Sequence, residues 1–207
     1  MTNSSFSNAF MDLVKSRASI RWLTPDPVPD EHLRMILEAG IRAPTASGGE
    51  QWLFVVVKSE EMRKKVHSFI RKGQMIYLKR MLRQRPEEDE LKKWEEKLDA
   101  GIYLAPVYII GLLNYNRRTL KDEYILYEYL WGIESVTLAL GNMMLAALSL
   151  GYGSVWIAVP KLIEEDFKDA LNLPENASYV GMLALGKPAE SPGPRRRLPL
   201  EKSTLFL

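Results

Sequence analysis

Four short apolar runs, WLFVVVK (52–58), PVYIIGLL (106–113), GSVWIAV (153–159) and YVGMLALG (179–186), constrain most tightly what this chain can fold into. They are rich in β-branched and aromatic residues and bounded by glycine, proline or a charge, the signature of strands rather than helices. WLFVVVK is apolar almost without a break, which predicts burial on both faces. Segments with helical spacing lie between most of the strands, so the pattern reads as one α/β or α+β domain with an inserted helical excursion. No internal repeat or linker interrupts it.

The intervening segments carry helix signals. Ser7 is placed to cap a first helix, with Ala9, Phe10, Leu13 and Val14 on one face up to Arg17. RASIRWLTPDPVPD (17–30) then runs extended, because residues before proline avoid the helical region. Asp30 is expected to cap a second helix whose Leu33, Ile36 and Leu37 share a face up to Gly40. Ser59, followed by Glu60 and Glu61, opens a third, with Val66, Phe69 and Ile70 inside. From Arg71 to Asp99 the composition turns heavily charged and Pro86 divides it into two helical pieces. This is either a solvated hairpin or a mobile lid of about residues 71–100, whose Met75, Ile76, Tyr77, Met81 and Trp94 need cover.

A long helix is expected from about Trp131 to Leu150, and a shorter amphipathic one from Lys161 to Leu171. The most apolar stretch, Gly132 to Leu150, contains Glu134, Ser135, Thr137, Asn142 and Ser149 without flanking lysine or arginine. It therefore reads as a buried core helix and not a membrane span. The start, MTNSSFSNAF, lacks a basic region followed by a long apolar run, so no signal peptide is read there and a cytoplasmic location is expected. The tail from about residue 187 to 207 spaces Leu198, Leu200, Leu205 and Phe206 through a polar background, which suits docking on its own subunit or on a partner.

Composition narrows the chemistry. The 28 Lys and Arg residues nearly balance 26 Asp and Glu, a formal charge of +2, which argues against nucleic acid as the main partner. The chain has 0 cysteines and only 2 histidines, His32 and His67. Disulfides, thiolate nucleophiles and cysteine-ligated metals are excluded, and no metal site is expected. An enzyme of this composition draws its reactivity from an organic cofactor.

Three segments are candidates for holding one. In extended geometry Arg17, Ser19 and Arg21 would face the same side, two guanidinium groups and a hydroxyl suited to a phosphate; a polar surface strand is the plain alternative. The loop Pro44-Thr45-Ala46-Ser47-Gly48-Gly49-Glu50-Gln51-Trp52 is small enough for its backbone to approach a flat ligand, or it is simply a helix-to-strand connection. Arg195-Arg196-Arg197 is either a solvated patch or the second half of a phosphate clamp.

In this order, RASIR, PVPDEHLRMILEAG, APTASGGEQWLFVVV, GNMMLAALSLGYGSVWI and LALGKPAESPGPRRRLPLEK resemble the successive motifs of the nitroreductase family of FMN enzymes, over residues of about 10 to 205. The resemblance implies an α+β fold, α/β sandwich-like, with a central mixed sheet of four to five strands flanked by helices. It also implies a homodimer with FMN at the subunit interface and a tail that wraps the partner. Arg17, Ala18, Ser19 and Arg21 would hold the FMN phosphate and ribityl chain, joined from the tail by Arg197 with Arg195 beside it. Pro44, Thr45, Ala46 and Ser47 would border the isoalloxazine ring, and Ser154, Trp156 and Ile157 would lie near its reactive edge. Tyr77, Gln74 and Gly48 would face the acceptor.

NADH or NADPH would reduce the flavin, and a nitroaromatic, a quinone or free flavin would then take the electrons, with no acid–base residue required. The family's second signature position, often arginine, is Ala18 here, and its Asn-x-Gln-Pro-Trp is Gly48-Gly49-Glu50-Gln51-Trp52. Backbone groups are left to meet the ring. QMIYLKRM is similar to the iodotyrosine deiodinase branch, where Tyr77 matches a substrate-reading tyrosine, so reductive dehalogenation of a halophenol is the alternative activity. A flavin-carrying or sensor protein without turnover is the alternative outside enzymes.

Overall fold

All four apolar runs become strands in the computed structural model, which describes residues 3–207, with side chains from residue 5. They are β1 (Trp52–Val57), β2 (Val107–Asn114), β3 (Gly153–Ile157) and β4 (Ala177–Gly186), in the spatial order β1-β2-β4-β3. The expected α+β layering is present, but every pairing is antiparallel, where a mixed sheet was expected. The segments after β1 and after β3 return the chain to the end of the sheet it left, so β2 and β4 each run back antiparallel, whereas the connection between β2 and β3 crosses to the opposite end.

Order in the sheet decides burial. β2 lies between β1 and β4, and seven of its eight residues are buried. β1 is an edge strand, and its Leu53 to Val56 are only half-buried, so the predicted burial on both faces fails there. An edge strand has a neighbour on one side only, whatever its composition. Successive β2 residues serve two cores, as the strand's two-residue period requires. Tyr108, Ile110 and Leu112 join one with Val66, Ile70 and Phe167. Val107 and Ile109 join the other with Leu33, Ile36, Ala139, Leu140 and Met143.

Among the described residues six α-helices cover the sheet and its ends: α1 (Asn3–Ser16), α2 (Asp30–Ile41), α3 (Glu60–Ile76), α4 (Glu88–Asp99), α5 (Ile125–Ser149) and α6 (Glu164–Ala170). α1 begins before Ser7, so that residue lies inside the helix rather than at its cap. Pro29, not Asp30, precedes α2, and no side chain caps it. Asp30 is its first residue, favoured there by the helix dipole, and pairs with Lys58. Ser59 does cap α3, accepting from the Met62 N–H at 3.4 Å. α3 runs past Arg71 into a π-helical turn, Tyr77–Met81, and the chain resumes a helix only after Pro86.

α5 starts at Ile125, earlier than the expected Trp131. Its first turns are apolar yet exposed at Ile125, Leu126, Tyr127, Leu130 and Trp131. The helical region Asp122–Ser149 is long and apolar enough to cross a membrane by length and composition, with a mean hydropathy of 1.3. Ala139, Leu140, Met143 and Ala147 are nevertheless fully buried in the core.

Candidate cofactor site

After α1 ends at Ser16, the segment 17–24 is extended and bound to three other parts of the chain. Ile20 N–H donates to the Ser154 carbonyl at 3.0 Å, which lays the segment beside β3. Tyr103 N–H donates to the Arg21 carbonyl at 2.9 Å. The start of the tail forms a short ladder with it: Thr24 N–H to the Lys187 carbonyl and Ala189 N–H to the Trp22 carbonyl, both 2.9 Å, around an antiparallel bridge of Leu23 with Pro188. The Glu190 carboxylate closes the ladder, accepting from the Arg21 N–H at 2.5 Å and the Trp22 N–H at 3.2 Å.

Ser19 and Arg21 open into a cavity of about 490 Å³, a usual size for a small-molecule site. Gln74, Tyr77 and Met81, from the end of α3 and its π-helical turn, form one side; Tyr103 and residues 155–160 form another. Among the described residues Arg21 is the only charged side chain in this wall, which therefore favours an anion. The Arg21 guanidinium donates to the Ser19 carbonyl at 3.4 Å. No histidine or carboxylate lines the wall, so the cavity offers no acid–base side chain beyond the two phenols.

The predicted residues are distributed over three neighbourhoods. Ser19, Arg21, Gln74, Tyr77, Trp156 and Ile157 meet in the main cavity. Arg17, Ala18 and Ser154 line a second one of about 200 Å³, together with Ile20 and Glu190. The expectation that Arg17 shares a face with Ser19 and Arg21 thus fails. Arg17 directly follows the last helical residue, where the alternation of a strand has not yet been established. Pro44, Thr45 and Ala46 line a third cavity of about 350 Å³ beside Trp131, Ser135 and Leu138. The Ala46 N–H donates to Ser135 Oγ at 3.2 Å. Ser47 and Gly48 form the exposed tip of that loop with φ of 52° and 65°.

Arg195 and Arg197 are exposed and line none of these three cavities. Within one chain the clamp of arginines from both ends does not form. The two ends do meet, through residues 187–190 rather than through the arginines.

Among the residues around the site that the sequence did not single out, Tyr103 and Glu190 stand out. Tyr103 lines the main cavity with φ of 72°, a left-handed conformation that is an outlier for a bulky residue. Its carbonyl accepts from the Tyr108 hydroxyl at 2.9 Å, and burial pushes the Tyr108 phenol well above its usual range, keeping it a donor. Glu190 is the other. A lone glutamate in a proline-rich tail carries no sequence signal, since its partners are main-chain groups 168 and 169 residues away.

Residues 14–187 match the family model described as the nitroreductase family. An NADH dehydrogenase of Thermus thermophilus is 30% identical over 201 residues, covering 92% of each chain. An FMN reductase (NAD(P)H) of Bacillus subtilis is 28% identical over 94% of this chain and 72% of its own. Iodotyrosine deiodinase 1 of Rattus norvegicus is 29% identical over 88% of this chain and 63% of its own. Among solved structures, a nitroreductase in complex with FMN from Desulfovibrio desulfuricans superposes with a TM-score of 0.70 at 25% identity, covering 96% of both chains.

Proposed function

Because the chain belongs to the nitroreductase family, we propose that it is an FMN-dependent oxidoreductase that takes electrons from NADH or NADPH and passes them to a small organic acceptor, such as a nitroaromatic, a quinone or free flavin. The observation that carries this reading is the main cavity, whose wall pairs Ser19 with the single charge of Arg21 and contains no carboxylate. Relatives named for FMN and NAD(P)H support it.

These residues fit an anionic cofactor with a flat ring. Arg21 and the Ser19 hydroxyl would take the phosphate end, where a guanidinium meets phosphate oxygens in a two-pronged hydrogen bond. Arg17 and Ala18 would border the phosphate end from the adjoining cavity, and Ser154 would hold the strand edge beside it. Trp156 and Ile157 would back the ring, while Gln74 and Tyr77 screen it from water and face the acceptor. When bound, the flavin supplies the hydride exchange; the protein binds, orients and excludes solvent.

The loop Pro44 to Ser47, with Gly48 at its tip, and the tail Arg195 and Arg197 reach the site only from a second copy in this proposal. A homodimer would cover the exposed Phe6, Phe10, Leu126, Leu130, Leu198 and Leu205. Residues 71–100 act as the lid and 187–207 as the wrapping tail. A cytoplasmic location belongs to the same reading.

Dehalogenation is disfavoured by one contact. In the similarity to the deiodinase branch, the substrate-reading glutamate falls at Gly73 or Gln74. Gly73 is buried with Pro160 only 2.9 Å from where a Cβ would stand, and Gln74 is neutral.

The test is the absorption spectrum of the purified protein before and after anaerobic NADH or NADPH. A flavin band that bleaches, followed by faster turnover with nitroaromatics or quinones than with halotyrosine, is expected. A protein that neither carries nor takes up FMN overturns the reading; a flavin band that neither nucleotide bleaches makes it a flavin carrier instead.

A further inference from the structure

We propose that Glu190 is a positioning residue for the phosphate end of the cofactor site, acting by the reach of its carboxylate and not by its charge; this rests on the FMN reading above. Arg21 lines the main cavity, and its main-chain N–H donates to the Glu190 carboxylate at 2.5 Å. The same oxygen takes the next N–H, that of Trp22, at 3.2 Å. Ser19 and Arg21 lie on an extended segment with no regular sheet partner over that stretch. At Ser19 to Arg21 the other main-chain ties are the Ile20 bond to Ser154 and the Tyr103 bond to the Arg21 carbonyl, with the short ladder to residues 187–189 beginning only at Trp22. Without Glu190, the two amides at the arginine lose their only acceptor.

A carboxylate is a poor choice next to a phosphate site if only electrostatics mattered, since it opposes the anion. Its placement makes sense as a clamp. One side chain satisfies two successive N–H groups that would otherwise need a neighbouring strand. Hydrogen-bonding geometry at a ligand is only as good as the backbone that presents it. Glu190 also belongs to the root of the tail, directly after the ladder of 187–189, so the clamp ties both ends of the chain at the cofactor's anionic end.

The experiment compares affinity for FMN and for riboflavin, which lacks the phosphate, by flavin fluorescence quenching on the apoprotein. Wild type is expected to prefer FMN at least about tenfold, in keeping with one or more charge-assisted contacts. Glu190→Asp keeps the charge but is one methylene short, and is expected to weaken FMN about tenfold while changing riboflavin less than about threefold. Glu190→Gln keeps reach and an acceptor oxygen, and is expected to stay within about threefold of wild type for both ligands. Glu190→Ala should behave as the aspartate variant or worse; if it fails to fold, the Asp and Gln pair decides.

Equal weakening of both flavins, or loss with Gln but not with Asp, overturns the positioning role. A wild type that binds FMN no better than riboflavin overturns the cofactor reading itself, independently of any variant.

Discussion

The segment 17–24 and the tail 191–207 look alike in outline. Both are arginine-bearing and largely without regular structure. The first is held by main-chain bonds to β3, to Tyr103 and to residues 187–190, with sequence separations that reach across the whole chain. The second has only local main-chain bonds, Lys202 N–H to Pro199 and Ser203 N–H to Leu200, and its side chains are exposed throughout. An arginine presented by a backbone fixed at several distant points is ready to bind. An arginine on an unsupported strand must first be ordered, at a cost of about 1–2 kcal/mol per residue unless another surface provides the contacts. The difference teaches that, on the proposed function, Arg21 would be presented to a ligand by one chain alone, whereas Arg195 and Arg197 would need a second surface.

That contrast can be broken in graded steps. Arg21→Ala should weaken FMN about 100-fold at any protein concentration, as expected for losing a buried charge-assisted pair; a fluorescence titration measures it. Arg197→Ala should lower FMN occupancy after purification by about tenfold. Its effect should track dimer content in size-exclusion runs, and unchanged occupancy would remove the tail from the site. Gly153→Ala should destabilise the fold by about 1–3 kcal/mol, because its new methyl would stand 2.8 Å from the Ile20 side chain. Gly193→Ala, with open space around it, should stay within about 0.5 kcal/mol in the same urea titration. Equal effects at the two glycines would erase the distinction between the segments.

The smallest effect lies outside both segments, at the ion pair of Arg71 with Asp99, 2.8 Å apart and joining α3 to α4. The guanidinium hydrogen bond holds the Asp99 carboxyl below its usual range. A lowered carboxylate contributes stability above its unfolded pKa of about 4 and loses it as pH falls through the folded value. Arg71→Ala should therefore lower the melting temperature slightly at neutral pH, where the pair is intact, and leave it unchanged once Asp99 is protonated in acid, since exposed pairs are worth little.

Much of the fold could be read from spacing alone. The four strands appear where β-branched runs lie between turn residues, and α3 and the core half of α5 appear where apolar residues recur at helical intervals, because periodicity is a property of neighbouring residues. The start of α5 escaped notice because Ile125 to Trp131 is apolar on a face that the single chain does not bury. Ser19 and Arg21 come from local pattern, and Gln74, Tyr77, Trp156 and Ile157 from the family resemblance; all six line one cavity.

Local pattern by itself determined the element types, the positions of the phosphate-binding candidates and the dependence on a cofactor, since cysteine is absent and histidine scarce. Tertiary structure alone decided that β1 is an edge and β2 a centre, that Arg17 faces a different cavity from Arg21, and that Glu190 grips the Arg21 backbone. Strand order and main-chain partnership depend on which distant amide meets which carbonyl. Because every residue carries the same donor and acceptor, no side-chain pattern announces that choice.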